Sequence, residues 1–155
     1  MLTFVAFGAL SFVTALSGTV FRPGLWYESL DKPQWQPPNW LFGPVWAILY
    51  VMIAIAGTMI WNAQPANLVL IMSVFGLQLA LNAGWSAVFF GLKRMDLAFV
   101  EVLLLWSSII ATMIVFAPVD TRAAWLLVPY LAWVTFAAFL NFVMLRMNPQ
   151  YASAT

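Results

Sequence analysis

The chain has 155 residues, of which 65% are apolar and only 7% are charged. Soluble proteins contain roughly 45–50% apolar and about 25% charged residues, so this composition cannot cover a water-soluble core and predicts a membrane protein. The net charge of +1 provides no basic surface for nucleic acid. The chain has neither cysteine nor histidine, which excludes disulfides, thiol catalysis and the commonest metal ligands, so we predict no metal site.

Five apolar runs are each long enough for a transmembrane helix, which needs about 20 residues to cross a hydrocarbon core of about 30 Å. They are Leu2–Phe21, Leu41–Trp61, Leu68–Gly91, Leu97–Ala117 and Ala123–Leu145. None alternates in polarity as barrel strands do. We therefore expect one all-α membrane domain over residues 1–155, a five-transmembrane-helix bundle. The first run could instead be a signal peptide, although it lacks a basic n-region and exceeds a typical h-region.

The basic residues predict the orientation of this bundle. Five spans put the termini on opposite sides of the membrane. The side with the long loop 22–40 and the C-terminus carries Arg22, Lys32, Lys93, Arg94 and Arg146, whereas the other side carries only Arg122. Because Lys and Arg accumulate in cytoplasmic loops, we expect the long loop and the C-terminus in the cytoplasm and the N-terminus outside.

The long loop contains a proline-rich and tryptophan-rich segment that leads into the second span. Its prolines restrict their own φ and favour extended conformations before them, and they are Pro33, Pro37 and Pro38. Pro44 is expected in the first turn of the second span, where a missing donor costs little. Trp35 and Trp40 are suited to the headgroup level. We predict a stiff lid over a ligand site, and a purely structural interfacial loop is the alternative.

Several aromatic and amide residues reach one depth at the long-loop end of the predicted bundle. They are Trp46 on the second span, Asn82, Trp85 and Phe89 on one face of the third, and Trp133, Ala137, Leu140 and Asn141 on one face of the fifth. Amides in hydrocarbon are costly unless they are paired. This pattern indicates an apolar pocket with few polar groups, as small-molecule sites have. The alternative is ordinary helix packing with an interfacial aromatic belt.

The opposite face of the third span carries a stripe of small residues, Gly76, Ala80 and Gly84. Such stripes allow two helices to approach closely. We expect this stripe to be the interface of a homodimer, and contact with another helix of the same chain is the alternative.

Two further residues interrupt the apolar spans. Glu101, one turn into the fourth span, is expected to reach the cytoplasmic interface towards Lys93 or Arg94. Pro129 is expected to free the carbonyl of Trp125 and kink the fifth span. The kink would either widen a cavity near Trp133 or serve helix packing alone.

Three segments together resemble the signature blocks of the translocator protein family, TspO/MBR, also called the peripheral-type benzodiazepine receptor. They are WYESLDKPQWQPPNWLFGPVWAILY, LNAGWSAVFFG and PYLAWVTFAAFLNF. The resemblance implies a five-helix bundle that binds porphyrins, especially protoporphyrin IX, and hydrophobic isoquinoline or benzodiazepine-type ligands. It implies ligand-lining positions at Tyr27, Pro37, Trp46, Asn82, Trp85, Phe89, Trp133, Ala137 and Leu140. The short tail without a basic extension resembles bacterial members.

Three functions remain open from the sequence. The first is a receptor or transporter-like protein for tetrapyrroles, with the porphyrin as ligand and no required cofactor. The second, implied by the resemblance, is a light- and oxygen-dependent porphyrin-degrading enzyme with Trp46 and Trp133 as redox participants. The third is a structural or regulatory partner protein. In the family's sterol motif Phe142 replaces the tyrosine ahead of Arg146, which argues against tight sterol binding.

Overall fold

The computed structural model describes residues 2–20 and 24–151, and every regular element within them is helical. The α-helices are α1 (Leu2–Val20), α2 (Leu25–Glu28), α3 (Asn39–Ala63), α4 (Leu68–Ser86), α5 (Met95–Phe116), α6 (Thr121–Leu126) and α7 (Val128–Met147). A π-helical turn, Ala87–Gly91, continues α4, and a 3-10 turn, Pro149–Tyr151, follows α7. The predicted all-α fold is therefore confirmed.

Four segments are long and apolar enough to cross a membrane: Asn39–Ala63, Leu68–Gly91, Met95–Phe116 and Thr121–Met147. They match the second to fifth predicted spans within a few residues. The first helix is apolar over Thr3–Thr14, which is shorter than a bilayer requires. Phe21 and Arg22, at the end of the first predicted span, lie outside the described residues. That the first run also crosses the membrane, giving five spans in all, therefore stays a prediction.

The long helices pack in a ring: α1 lies against α3 and α4, α4 against α5, α5 against α7, and the α6 segment against α3. Their buried apolar side chains form one large core cluster and a second, smaller cluster that includes Tyr27, Phe89 and Met144. Among the described glycines, Gly57 is the most tightly packed against side chains of other helices. An added Cβ there would lie 2.9 Å from the ring of Phe75 and 3.0 Å from that of Phe7. Only glycine leaves room for both rings.

Pro44 lies deeper in its helix than the sequence predicts. Helix α3 begins at Asn39, directly after Pro38, whose φ of −60° and ψ of 143° suit the residue before a helix. The amide of Leu41 closes the first turn by donating to the Pro38 carbonyl at 2.9 Å. The expectation that Pro44 occupies the first turn was wrong because the helix starts two residues earlier than Leu41.

Pro129 interrupts the fifth span, as predicted. The break falls at Leu127, between α6 and α7, and Pro129 is the second residue of α7. The amide of Leu127 donates to the Ala124 carbonyl at 3.1 Å, and regular bonding resumes where Leu131 donates to the Leu127 carbonyl at 2.9 Å.

The long loop is fixed to the C-terminal end of α7. The Asn148 side chain accepts from the Asp31 amide and donates to the Asp31 carbonyl, both at 2.9 Å. The Trp35 ring stacks on Phe139 of α7 at 5.5 Å. The loop therefore covers the end of the bundle where α4 and α7 finish.

Candidate functional site

A cavity of about 610 Å³ lies between the helices and reaches the long loop. Its walls come from α1, α3, α4, α5 and α7, with one residue from α2. Eight of the nine predicted site residues line it: Tyr27, Trp46, Asn82, Trp85, Phe89, Trp133, Ala137 and Leu140. Pro37 does not line the cavity, since α3 starts just after it and Asn39 and Phe42 face the space instead.

Aromatic rings hold each other in place around the cavity. Trp85 stacks on Phe89 with centroids 5.0 Å apart and planes 25° apart. Trp46 stacks on Tyr50 of the same helix at 5.4 Å. Trp133 meets Phe42 edge to face at 5.6 Å. Because offset and edge-to-face pairs are the favoured aromatic arrangements, these contacts fix the indole planes before any ligand arrives.

The π-helical turn after α4 forms part of the cavity wall. The amide of Leu92 donates to the Ala87 carbonyl five residues back, at 2.9 Å. A π turn adds one residue to the helical repeat. Phe89 lies in the wall with Asn82 and Trp85, as the 100° spacing predicts, and the adjacent Phe90 lines the cavity as well.

A hydrogen-bonded chain of polar side chains closes the inner part of the cavity. Tyr50 Oη donates to Asn82 Oδ1 at 2.7 Å, and Asn82 Nδ2 donates to Tyr130 Oη at 2.8 Å. Tyr130 Oη in turn donates to Gln78 Oε1 at 3.1 Å. This chain of hydrogen bonds joins α3, α4 and α7. It satisfies the Asn82 amide, which would be costly in hydrocarbon without partners.

The sequence prediction missed Tyr50, Tyr130 and Gln78, although a signal for them exists. Polar side chains within an apolar span require partners, and the argument made for Asn82 applies equally to these three. Their spacing in the chain could not show that they meet across three helices.

A second set of polar atoms in the cavity wall has no partner. Both side-chain atoms of Asn141, the Trp85 Nε1 atom and the Ser11 hydroxyl are buried without a hydrogen bond among the described residues. All three residues line the cavity. No Lys, Arg, Asp or Glu is among its described lining residues, so every polar side chain in the described wall is neutral.

Tyr27 closes the cavity at the loop. Its buried ring meets Phe89 and Phe90 edge to face, and its hydroxyl accepts from Gln36 Nε2 at 3.0 Å. Burial raises the pKa of the Tyr27 phenol, and the hydrogen bond from Gln36 offsets part of that rise. The Lys32 ammonium lies 4.6 Å from the ring centroid on the loop side.

Glu101 does not reach the basic residues expected as its partners. Arg94 pairs instead with Asp96, two residues further along the chain, which supplies a nearer carboxylate. Both carboxyl oxygens of Glu101 are buried without a hydrogen-bond partner among the described residues. An added Cβ at Gly84 would lie 3.4 Å from Glu101 Oε1. The predicted pairing with Lys93 or Arg94 was therefore wrong.

The small-residue stripe of α4 divides between two environments. Gly76 and Ala80 are exposed, and nothing lies within 4 Å of a Cβ added at Gly76. Gly84 instead faces Glu101 on α5 of the same chain. The homodimer interface stays a prediction, now centred on Gly76 and Ala80.

Pro129 lines a shallower groove on the outside of the bundle rather than the main cavity. This groove, of about 440 Å³, lies between α3 and α7, and Trp133 contributes to both spaces. Within residues 2–20 and 24–151, no group of His, Cys, Asp and Glu could hold a metal ion.

Comparison with known proteins shows which proteins this chain resembles. A sequence model of the TspO/MBR family matches residues 1–147. The Tryptophan-rich protein TspO of Chlorobaculum tepidum is 43% identical over 147 residues, covering 90% of this chain and 92% of that protein. Protein CrtK of Rhodobacter capsulatus is 41% identical, covering 86% and 84%. The Translocator protein of Ovis aries is 40% identical, covering 86% and 79%.

The four apolar segments and these relatives define the class: an integral, multi-pass helical membrane protein. The chain belongs to the TspO/MBR family. The resemblance seen in the three sequence blocks is thereby confirmed.

Proposed function

We propose that this protein binds porphyrins, with protoporphyrin IX as the principal candidate, and other flat hydrophobic molecules in the cavity beneath the long loop. Its role is that of a receptor or transporter-like protein in tetrapyrrole and stress responses. The observation that carries the proposal is the cavity itself: about 610 Å³ with Trp46, Trp85 and Trp133 in its wall. That volume falls within the range of about 300–1,000 Å³ typical of small-molecule sites.

The chemistry of the wall favours a metal-free macrocycle. The chain has no His or Cys to ligate iron, so recognition depends on stacking, burial and neutral hydrogen bonds. Aromatic pairs contribute about 0.5–1.5 kcal/mol each beyond area burial. Several such faces around one ring system support micromolar affinity, about −8 kcal/mol.

The membrane arrangement is part of the proposal. Helix α1 is the first of five transmembrane spans, with its N-terminus outside, and the long loop and C-terminus are cytoplasmic, as the Lys and Arg distribution favours. Gly76 and Ala80, exposed on α4, form the contact between two copies of the chain.

Tryptophan fluorescence tests the binding proposal. Protoporphyrin IX is titrated in the dark into the detergent-solubilised protein and its Trp133→Phe and Trp125→Phe variants. We expect saturable quenching at micromolar ligand that weakens in Trp133→Phe. Trp125 lies in the same span but is 68% exposed and outside the cavity, so Trp125→Phe should bind as the wild type does. An absence of saturable quenching, or equal loss in both variants, would refute the proposal.

A second candidate is light-dependent breakdown of the bound porphyrin. It is favoured by the position of two electron-rich indoles, Trp46 and Trp133, on the wall of the same cavity. Light-excited porphyrin and oxygen would supply the oxidant, which fits the described part of the wall, where no acidic or basic side chain lies. Illumination of the saturated complex should then give a new absorption product that disappears in Trp46→Phe although binding persists. Recovery of unchanged porphyrin from the wild type would leave binding alone as the function.

A further inference from the structure

Glu101 is an acidic residue within Met95–Phe116, a segment long and apolar enough to cross a membrane. Both of its carboxyl oxygens are buried, and neither has a hydrogen-bond partner among residues 2–20 and 24–151. An ionised carboxylate in such a position loses its hydration and gains no compensating contact, which is strongly unfavourable. An isolated buried carboxyl group therefore takes up a proton instead of remaining charged.

The carboxyl group lies at the contact between two spans. Helix α4 packs against α5, and a Cβ added at Gly84 of α4 would lie 3.4 Å from Glu101 Oε1. The carboxyl therefore sits against the backbone of α4, where glycine has no side chain to hold it away. Glu101 is not among the described residues that line the main cavity. Its charge state consequently affects the packing of α4 on α5 and not the wall of the ligand site.

The cations near the ends of α5 do not neutralise this carboxyl. Arg94, at the start of α5, is paired with Asp96, and Arg122 of α6 is paired with Asp120. Lys93, in the loop between α4 and α5, is exposed. Helix α4 and the π turn that continues it contain no ionisable side chain.

Helix α7, which also packs against α5, has two ionisable side chains, and neither is a partner. The Tyr130 hydroxyl accepts from Asn82 at 2.8 Å and donates to Gln78 at 3.1 Å. Arg146 is exposed, with its guanidinium carbon 5.2 Å from the centroid of the Phe142 ring. The described elements packed on α5 therefore supply no positive charge to the carboxyl of Glu101.

We infer that Glu101 is a proton-binding site inside the membrane: the folded protein holds its carboxyl group un-ionised against α4, and ionisation weakens the contact between α4 and α5. The ligand of this site is the proton alone, because the buried oxygens leave no room for a larger cation. The inference goes beyond the proposed function, since it makes the packing of two spans depend on pH without any porphyrin.

Thermal unfolding in detergent as a function of pH tests this inference. A glutamate in the unfolded chain loses its proton above about pH 4.3. If the folded protein keeps that proton, the unfolded state binds fewer protons, so stability falls as pH rises from about 5 to about 8. Glutamine resembles the protonated acid and does not ionise. The melting temperature of the wild type should therefore fall by at least about 2–4 °C more than that of Glu101→Gln over this range. Glu28→Gln makes the same substitution at an exposed position on α2 and should follow the wild type.

Dicyclohexylcarbodiimide tests the protonation state in the wild type itself. The O–H of a carboxylic acid adds across one C=N bond of the reagent: the oxygen bonds to the central carbon and the proton moves to nitrogen. An acyl shift from oxygen to nitrogen then gives a stable N-acylurea without a leaving group. Leu97 and Leu104, one turn to either side of Glu101 on α5, are 44% and 56% exposed, so this hydrophobic reagent reaches the site from the lipid. Peptide mass spectrometry at neutral pH should find Glu101 modified and the exposed Glu28 unmodified.

The two measurements decide the inference together. Selective modification of Glu101, with a loss of stability at higher pH that Glu101→Gln lacks, supports it. Parallel pH responses of the wild type and Glu101→Gln overturn it, because the carboxyl group then has the same charge state folded and unfolded. Absence of modification at Glu101, or equal modification of Glu28, overturns it as well. Neither measurement involves a porphyrin, so failure here leaves the proposed function unaffected.

Discussion

Asn82 and Asn141, which both line the cavity, should respond to the same substitution with opposite changes in stability. Asn82→Leu removes the bonds at 2.7 Å from Tyr50 and at 2.8 Å to Tyr130. Asn141→Leu removes an amide that has no partner among the described residues. The size and shape change is the same in both variants, so the difference between them reports the hydrogen bonds.

The magnitudes follow from what each variant leaves behind. Asn82→Leu loses two hydrogen bonds and leaves the Tyr50 hydroxyl without its acceptor. At about 1 kcal/mol for each bond and about 1–3 kcal/mol for an unsatisfied buried group, the free energy of unfolding should fall by about 2–4 kcal/mol. Asn141→Leu relieves an existing unsatisfied amide and should raise the free energy of unfolding by about 1 kcal/mol.

Denaturant unfolding in detergent micelles, followed by near-ultraviolet circular dichroism, measures both changes. The double variant Tyr50→Phe/Asn82→Leu is the internal control, because removing both members of a hydrogen bond costs less than stranding one. It should be no less stable than Asn82→Leu alone. Equal destabilisation by Asn82→Leu and Asn141→Leu would refute the distinction between a structural and a free asparagine.

Two further substitutions test the packing and the loop. Gly57→Ala should lower the free energy of unfolding by about 1–3 kcal/mol, because its Cβ would lie 2.9 Å from the Phe75 ring. Gly43→Ala, on the same helix and with nothing within 4 Å of the added Cβ, should be neutral or stabilising, and equal melting temperatures of the two variants would contradict this. Asn148→Ala removes both hydrogen bonds to the Asp31 backbone. In limited proteolysis the long loop should then be cleaved several-fold faster, while the bundle stays folded. An unchanged cleavage rate would show that these bonds do not hold the loop.

Much of the helical arrangement follows from hydrophobicity alone. Long apolar runs must form helices in a bilayer, so four predicted spans appear within a few residues of their expected ends. The face periodicity also placed Trp85 and Trp133 beside the same cavity. These features depend on the local order of apolar and polar residues, which can be read directly from the sequence.

The rest depends on local backbone geometry and polar pairing, which the pattern of apolar residues does not indicate. The π turn at Ala87–Gly91 changes the helical repeat, and the residue pattern did not predict it. Helix α3 starts at Asn39, two residues earlier than predicted. For this reason Pro37 lies outside the cavity wall and Pro44 lies beyond the first turn of the helix. The position of Glu101 was wrong because Asp96, two residues from Arg94, is the nearer carboxylate for that guanidinium.

Filling the cavity tests the central claim most directly. Ala137 lines the main cavity, whereas Ala132, five residues earlier on α7, lines only the outer groove. Protoporphyrin IX affinity, measured in the dark for Ala137→Phe and Ala132→Phe, compares the two positions with the same substitution. The account predicts at least about tenfold weaker binding in Ala137→Phe, through steric exclusion, and unchanged binding in Ala132→Phe. Unchanged affinity in a folded Ala137→Phe variant would show that the porphyrin does not occupy this cavity.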